Sequence, residues 1–371
     1  MTAIVATASP LPLPAPASVW REWVTYGLSW AAASPVTEQA ARPAEVDDGR
    51  FMTVHAYRET TPGPRWRALF DATWRAYRSW YTRDGLAARP SLSECRDALA
   101  RYMPELIPTW EQLCRLSGDE PVAARMLSMW RLPAFAVGCS QAVLPGEQPT
   151  LVRNYDYDQA LFEAVVASTD YSGRRRVIGT SDMLWGLLDG MNDDGLAVSL
   201  TFGGRPDVGD GFGIPIVLRY VLETCATVEQ AVDALRRIPV SQSYNVAVVD
   251  RAGDHATVFV APGQPAEVSE LPATTNHRLD QIEHPTHAAR FNSAGRLTEL
   301  NELLSGTPSS RQLVSAMLVP PLRNDQFEAG FGTLYTAEYR PAAGVATWHW
   351  PETSWTRGFD DPDDIRKVRL G

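Results

Sequence analysis

From Arg131 onward the chain is written in blocks, and the order of those blocks limits the folds open to it. Short strand-like runs come first, at Ala134–Val137, Thr150–Arg153, Arg176–Gly179 and Leu196–Phe202. A Gly-rich loop, Gly203 to Gly213, separates them from helical patterns at Ile214–Thr224 and Val228–Arg237. The second of these opens on Thr227-x-x-Gln230, a capping box that marks a helix start. Strands resume at Tyr244–Asp250 and Ala256–Val260 across Arg251-Ala252-Gly253-Asp254, a hairpin turn. Helices are predicted at about Thr286–Leu304 and at Ser310–Met317, and strands at Thr333–Tyr339 and Val345–Trp350 close the series. Runs of strands, then helices, then strands again predict antiparallel sheets covered by helices, an α+β layered fold.

Upstream of that block the pattern is helical. Trp66, Leu69, Phe70, Trp74, Tyr77 and Trp80 recur at three- and four-residue steps, which predicts a helix over Arg65–Tyr81 with this stripe as its core face. Further helices are expected at Leu92–Met103, Ile107–Leu116 and Pro121–Trp130. The chain thus divides into a Pro- and Ala-rich tail (1–49), a helical segment (50–130), the layered domain (131–351) and a C-terminal tail (352–371).

Composition excludes several function classes. A formal net charge of −10 argues against a nucleic-acid or anionic-membrane binder, either of which needs a basic face. Lys367 is the only lysine, so arginine carries nearly all the positive charge. No apolar run approaches membrane-spanning length. The N-terminus lacks the basic and continuous apolar regions of a signal peptide, so a cytoplasmic location is expected. The four cysteines, Cys95, Cys114, Cys139 and Cys225, show neither disulfide-framework nor zinc-ribbon spacing. Cys95, Cys114 and Cys225 sit among apolar residues and read as small buried hydrophobes.

Cys139 differs from them. It follows a glycine in Val137-Gly138-Cys139-Ser140, with Arg153 and Asp156 about one hairpin downstream in Leu151-Val152-Arg153-Asn154-Tyr155-Asp156. A nearby cation favours thiolate. A cut before Cys139 would also free an α-amino group with an ordinary pKa of about 8, suited to general-base work.

Gly138-Cys139-Ser140, the R-N-x-D segment Arg153-Asn154-Tyr155-Asp156, Gly190-Met191-Asn192-Asp193-Asp194-Gly195-Leu196 and Thr275-Asn276-His277 occur in this order. They are followed by Ala289-Arg290-Phe291 and by Thr333-Leu334-Tyr335-Thr336-Ala337-Glu338-Tyr339. Together they resemble the N-terminal nucleophile hydrolases of the choloylglycine hydrolase and penicillin acyltransferase type, nearest the autoproteolytic C45 branch. The resemblance spans about Arg131 to Pro351. It implies an αββα four-layer sandwich, self-cleavage of the Gly138–Cys139 bond, and a Cys139 thioester formed from a linear, non-peptide amide. The acyl group then passes to water or to an amine.

The same resemblance assigns roles, each set against a plainer reading. Cys139 is the nucleophile rather than a buried strand cysteine. Arg153 favours the thiolate, where a lone Arg after a strand is usually a surface ion pair. Asp156 orients the new α-amine instead of sitting in a turn. Asn276 donates to the oxyanion. Asn192 is a second polar contributor or part of an ordinary Asn-Asp-Asp-Gly turn, and Arg290 completes the polar network or lies on a helix surface. The implied partner is a small-molecule amide or acyl donor, with no cofactor and no metal.

Two other functions fit the sequence. One is a non-catalytic, uncleaved member of the fold acting as a binding or scaffold protein. The other is an unprocessed cysteine hydrolase with His277 as base. His277, His284 and His287 do not form a zinc pattern, because Pro285 interrupts any shared helix face. Gly209-x-Gly211-x-Gly213 lacks dinucleotide spacing and reads as a mobile loop bordering the pocket.

Overall fold

The computed structural model describes residues 50–135, 137–205, 207–278 and 291–371. The expected N-terminal tail, Arg290, His284, His287 and the start of the helix predicted from Thr286 lie outside the described residues.

The chain opens on β1 (Phe51–Glu59) and continues through helices α1 (Pro64–Tyr81), α2 (Leu92–Tyr102), α3 (Ile107–Leu116) and α4 (Pro121–Leu127). Six strands follow: β2 (Gly138–Leu144), β3 (Thr150–Tyr157), β4 (Val165–Thr169), β5 (Val177–Asp182), β6 (Gly186–Asn192) and β7 (Leu196–Phe202). Helices α5 (Ile214–Thr224) and α6 (Val228–Arg237) lead to β8 (Tyr244–Asp250), β9 (His255–Val260), β10 (Glu267–Ser269) and β11 (Ala273–Thr274). After α7 (Ser293–Ser305) and α8 (Ser310–Met317) come β12 (Asp325–Gln326), β13 (Phe331–Arg340), β14 (Val345–Trp350), β15 (Thr353–Arg357) and β16 (Asp364–Arg369).

These strands make two sheets. The larger has nine strands in the order β10-β9-β8-β7-β6-β5-β4-β1-β16, antiparallel except where β1 runs parallel to β4. The smaller runs β11-β2-β3-β13-β14-β15, with β12 added on β13. Strands β2, β3 and β13 of the smaller sheet pack face to face on β6, β7 and β8 of the larger. Helices α5 and α6 cover the larger sheet, and α7 and α8 cover the smaller. The α+β layering expected from the block order is therefore present.

Alternation along β2 and β3 shows why one sheet serves two interfaces. Gln141 reaches across to the larger sheet, where its Oε1 accepts from Ser199 Oγ (2.6 Å) and its Nε2 donates to Asn245 O (3.1 Å). Ala142 and Val152 face the other way, into a core shared with Leu297, Leu300 and Leu313 of α7 and α8. The Trp-rich stripe of α1 is core as expected, with Trp66, Phe70, Tyr77 and Trp80 buried in the main cluster and Trp74 packed at its margin.

Three expectations need correction. Residues 51–59, read within a helical segment, form β1, and the alternation of buried Met52, Val54 and Ala56 with exposed Thr53 and His55 shows why. The C-terminal stretch read as a tail supplies β15 and β16, which pair with β14 and β1. The strand expected at Ala134–Val137 begins only at Gly138, where pairing with β3 starts. Ahead of it, Gln242 clasps the Phe135 backbone by accepting from its N–H (3.2 Å) and donating to its C=O (2.9 Å), which replaces a ladder partner.

Candidate active site

Cys139 is the second residue of β2 and points between the sheets, fully buried. Its Sγ accepts a hydrogen bond from Arg153 Nη2 at 3.1 Å. The two side chains meet because β2 and β3 pair in a register that sets Cys139 opposite Tyr155, two residues from Arg153 on the same face. The guanidinium also lies 4.8 Å from the centre of the Tyr155 ring.

A buried guanidinium is costly unless its donors are satisfied and its charge is paired. Arg153 Nε donates to Leu200 O (2.9 Å), and Nη1 donates to Tyr335 Oη (3.0 Å) and to Asp189. Asp189 is itself held by Tyr335 Oη (2.6 Å), Tyr339 Oη (2.5 Å) and Thr180 Oγ1 (2.7 Å). Arg153 is thus a fixed, paired cation whose Nη2 is left for sulfur.

The sulfur is not a standing thiolate in this arrangement. Burial pushes the Cys139 thiol up, and the pull of Arg153 opposes this without cancelling it. Arg153 therefore favours the thiolate, and desolvation is the larger, opposing influence.

A second polar chain reaches the Cys139 nitrogen. Asn276, just after β11, accepts the Cys139 backbone N–H on Oδ1 (2.8 Å). The same oxygen accepts from Arg296 Nη2 (2.8 Å), and Arg296 Nη1 donates to Asp156 Oδ2 (2.7 Å). Thr333 Oγ1 donates to Asp156 Oδ1 (2.6 Å). Both of Asn276's neighbours on Oδ1 are donors, so its amide orientation is set, and Nδ2 faces Val137 O (3.3 Å) and Phe202 O (3.4 Å). Burial raises the Asp156 carboxyl, with Arg296 the largest opposing influence.

A bulge makes the Thr333 contact possible. The register of β13 against β3 shifts between Thr333 and Tyr335, so Leu334 is the extra residue. Tyr335 then faces the larger sheet and Asp189, while Thr333 turns to the helix side and meets Asp156. Trp350 Nε1 occupies the bulge carbonyl of Leu334 (2.9 Å).

Gly138 is required by space. A Cβ there would sit 2.9 Å from Asp156 Cβ and 3.0 Å from Phe291 Cδ1. Gly204, at a φ of +73°, lets the chain pass the Asn276 carbonyl, which a Cβ would meet at 2.5 Å. The Gly209–Gly213 segment read as mobile is instead tied in: Gly209 N donates to Ser241 O (3.0 Å), Arg131 N to Gly211 O (2.9 Å) and Gly213 N to Met129 O (2.8 Å).

The structure therefore brings together Gly138, Cys139, Arg153, Asp156 and Asn276. It does not bring Asn192 to them. The Asn192 Nδ2 donates to Leu222 O (2.8 Å) and Cys225 O (2.7 Å), and its Oδ1 accepts from Leu196 N (2.9 Å). All its polar capacity goes to the end of α5 and the β6–β7 turn, which is the plainer turn reading. Asp156 does not touch the Cys139 nitrogen; it acts on that nitrogen's acceptor through Arg296. His277 Nδ1 bonds Ser293 Oγ (2.6 Å), whereas the only hydrogen-bond partner of Cys139 Sγ among the described residues is Arg153.

Arg296, Asp189, Tyr335 and Thr333 were missed in the sequence. Arg296 lies about one turn into α7 with nothing local to set it apart from a surface arginine. Burial raises the other three cysteines as it does Cys139, Cys114 to about 12, so the Arg153 bond and not burial sets Cys139 apart. No group of side chains suited to a metal ion occurs among the described residues.

A family model described as acyl-coenzyme A:6-aminopenicillanic acid acyl-transferase matches residues 143–355, more than half of the chain. The match begins just after Cys139 and includes Arg153, Asp156, Asn276 and Arg296. A comparison with curated proteins finds no match. Among solved structures, a mutant conjugated bile acid hydrolase from Clostridium perfringens is similar at 13% identity, covering 63% of this chain and 97% of that one, with a TM-score of 0.43. Penicillin V acylase from Agrobacterium tumefaciens is similar at 17% identity over 63% of this chain and 92% of that one, with a TM-score of 0.43. An N-acylethanolamine-hydrolyzing acid amidase ortholog from Caenorhabditis elegans reaches 18% identity over 55% and 93%, with a TM-score of 0.41.

Proposed function

We propose that this chain, which belongs to the acyl-coenzyme A:6-aminopenicillanic acid acyl-transferase family, is an amide hydrolase or acyltransferase with Cys139 as its nucleophile. The observation that carries the reading is a double grip on one residue. Arg153 holds the Cys139 sulfur at 3.1 Å and Asn276 holds its nitrogen at 2.8 Å. A buried structural cysteine requires neither.

Two stages follow. In the first, the thiol attacks the Gly138 carbonyl carbon, an S–C bond forms, and the C–N bond to Cys139 breaks. The thiol proton passes to the departing nitrogen, and water then hydrolyses the ester-like thiol linkage to release a Gly138 carboxylate. In the second stage the new α-amine accepts the Cys139 proton as the sulfur attacks the carbonyl of a linear, non-peptide amide. The amine leaves with a proton, and water or an acceptor amine takes the acyl group from sulfur.

The surrounding groups have matching tasks. Asn276 Oδ1 positions the α-amine, and its Nδ2, held only by long contacts, is the oxyanion donor. Asp156 and Arg296 keep that amide oriented. Because Sγ is fully buried while the chain is continuous, departure of the Val137–Gly138 end is what opens it to substrate. A cytoplasmic setting belongs to the same proposal, since a reducing compartment keeps a reactive thiol and three further free thiols intact.

Trapping tests this reading. Acid-quenching the enzyme during turnover of an amide panel should yield a peptide in which Cys139 carries the acyl group, and Asn276→Ala should lower turnover by ~100-fold or more. Turnover within a few-fold of wild type in Asn276→Ala, or an acyl group on any other residue, overturns the assignment.

A further inference from the structure

Next to Tyr155, the cross-strand neighbour of Cys139, lies a narrow cavity whose walls are mostly aromatic and whose one acidic group is weakly bonded. Tyr77, Trp80, Phe135, Tyr155 and Tyr157 line it together with Asp182, and it offers about 30 Å³ of room for the centre of a water-sized group. It adjoins the reacting atoms through the β2–β3 pairing. Tyr155 is opposite Cys139, and its ring carries the Arg153 guanidinium that bonds Sγ. Phe135 is the fourth residue before Cys139, so the proposed cut frees the segment that carries this wall.

The two acids at this cavity are not equivalent. Glu163 accepts from Tyr77 Oη (2.6 Å), Leu184 N (2.6 Å) and Ser181 Oγ (3.0 Å), which satisfies it. Asp182 is only 9% exposed, and its one hydrogen bond among the described residues is a 3.4 Å contact from Tyr77 Oη. That hydroxyl has a single proton, committed at shorter range to Glu163. The Met183 amide, directed at Tyr77 Oη (3.1 Å), compensates Asp182 only in part. No guanidinium among the described residues bonds it, because Arg153 is spent on Asp189. An acid buried this deeply keeps its proton unless a cation or a donor offsets its ionisation. Aromatic faces around it favour a cation.

We propose that this pocket is a subsite for a protonated amine carried by the substrate, so that the preferred substrates are amides bearing a primary ammonium group a short chain from the scissile bond. The ammonium donates to Asp182 and lies among the rings of Tyr77, Trp80 and Tyr155. The proposal rests on Cys139 being the nucleophile, since that places the scissile carbonyl next to the pocket. It leaves two attachment points for the cation, the acyl side and the leaving-amine side, which experiment separates.

Two substrate series do so: ω-aminoacyl p-nitroanilides against alkanoyl p-nitroanilides of equal length, and alkanoyl amides of diamines against those of alkylamines. One series should show a preference for the charged member of ~10-fold or more in kcat/KM, expressed mainly in KM, at one optimal length. Asp182→Asn should collapse that ratio toward one, and Asp182→Glu should restore part of it. A ratio near one at every length in both series, or a preference that Asp182→Asn leaves intact, overturns the proposal.

Absence of any turnover counts against the catalytic reading instead, and the subsite is then tested by binding. Ethylammonium titrated into the full-length protein, followed by NMR against ethanol as the neutral control, should bind saturably. Its affinity should rise as the pH climbs through about 8, to which burial first and Glu163 second push the Asp182 carboxyl. Asp182 and Glu163 titrate as a pair, with Tyr57, Tyr77, Tyr155, Tyr157, Tyr244, Arg83 and Arg153 among the charged or titratable groups in reach. This wild-type measurement stands even if Asp182→Asn fails to fold. Equal binding of ethanol and ethylammonium, or a pH-independent affinity, refutes the subsite.

Discussion

Replacing Arg296 with Met removes the residue that joins the two halves of the Cys139 nitrogen's support. The side chain is about 1% exposed and makes two charge-assisted bonds, to Asp156 Oδ2 at 2.7 Å and Asn276 Oδ1 at 2.8 Å. Hydrogen bonds to charged groups contribute ~1.5–3 kcal/mol each, and breaking a buried pair by removing one partner costs ~3–5 kcal/mol. The higher range applies, because Asp156 would keep only the Thr333 hydroxyl as a side-chain donor. We therefore expect Arg296→Met to lose ~3–5 kcal/mol of unfolding free energy at neutral pH by urea denaturation. The loss has a definite pH sign. Burial already raises the Asp156 carboxyl while Arg296 pulls it down, so deleting Arg296 raises it further. The variant's native state then holds a proton that wild type has released, and its deficit grows as pH rises and shrinks as pH falls. Pairing Arg296→Met with Asp156→Asn should recover ~2 kcal/mol or more of the sum of the single losses. A loss below ~1 kcal/mol, or one that grows on acidification, would refute the reasoning.

The other substitutions probe different parts of the site. Gly138→Ala forces a methyl against Asp156 and Phe291, and should cost ~1–3 kcal/mol while slowing self-cleavage, measured as the rate of fragment appearance on gels. Arg153→Met removes the only hydrogen bond to Sγ among the described residues, so alkylation of Cys139 at fixed pH should slow and its pH profile move upward; an unchanged profile counts against Arg153 as the thiolate's partner. Asn192→Ala should lower stability by ~1–3 kcal/mol through the stranded carbonyls of Leu222 and Cys225, yet leave cleavage per folded molecule near wild type. A selective cleavage defect there would return Asn192 to the active site.

Local signals carried most of the fold. Caps, turn residues and apolar period placed Leu196–Phe202, α5, α6, β8 and α8 at their observed limits. The Thr227 signal was right in kind: its hydroxyl accepts from Gln230 N (3.4 Å), although the return bond from Gln230 serves Ala226 N (2.8 Å). β1 carries a local alternation of Met52, Val54 and Ala56 with Thr53 and His55, whereas β16 was illegible for a non-local reason. It becomes a strand by pairing with β1 across nearly the whole chain, and Arg366 and Lys367 give it the look of a solvated tail. The site divides the same way. Cys139, Arg153 and Asp156 are close in sequence and share one hairpin, so spacing alone set them together. Arg296 and Asp189 reach it from α7 and the opposite sheet, and Thr333 depends on a bulge at Leu334 that no residue type announces. Arg153 acts on the thiol in the direction its charge indicates, while the opposing desolvation exists only once the sheets close.

Intact mass of the purified full-length protein tests the central claim before any substrate is known. Wild type should resolve into two fragments divided between Gly138 and Cys139, and Cys139→Ala should remain a single uncut chain. An uncut wild type indistinguishable from Cys139→Ala would contradict the account.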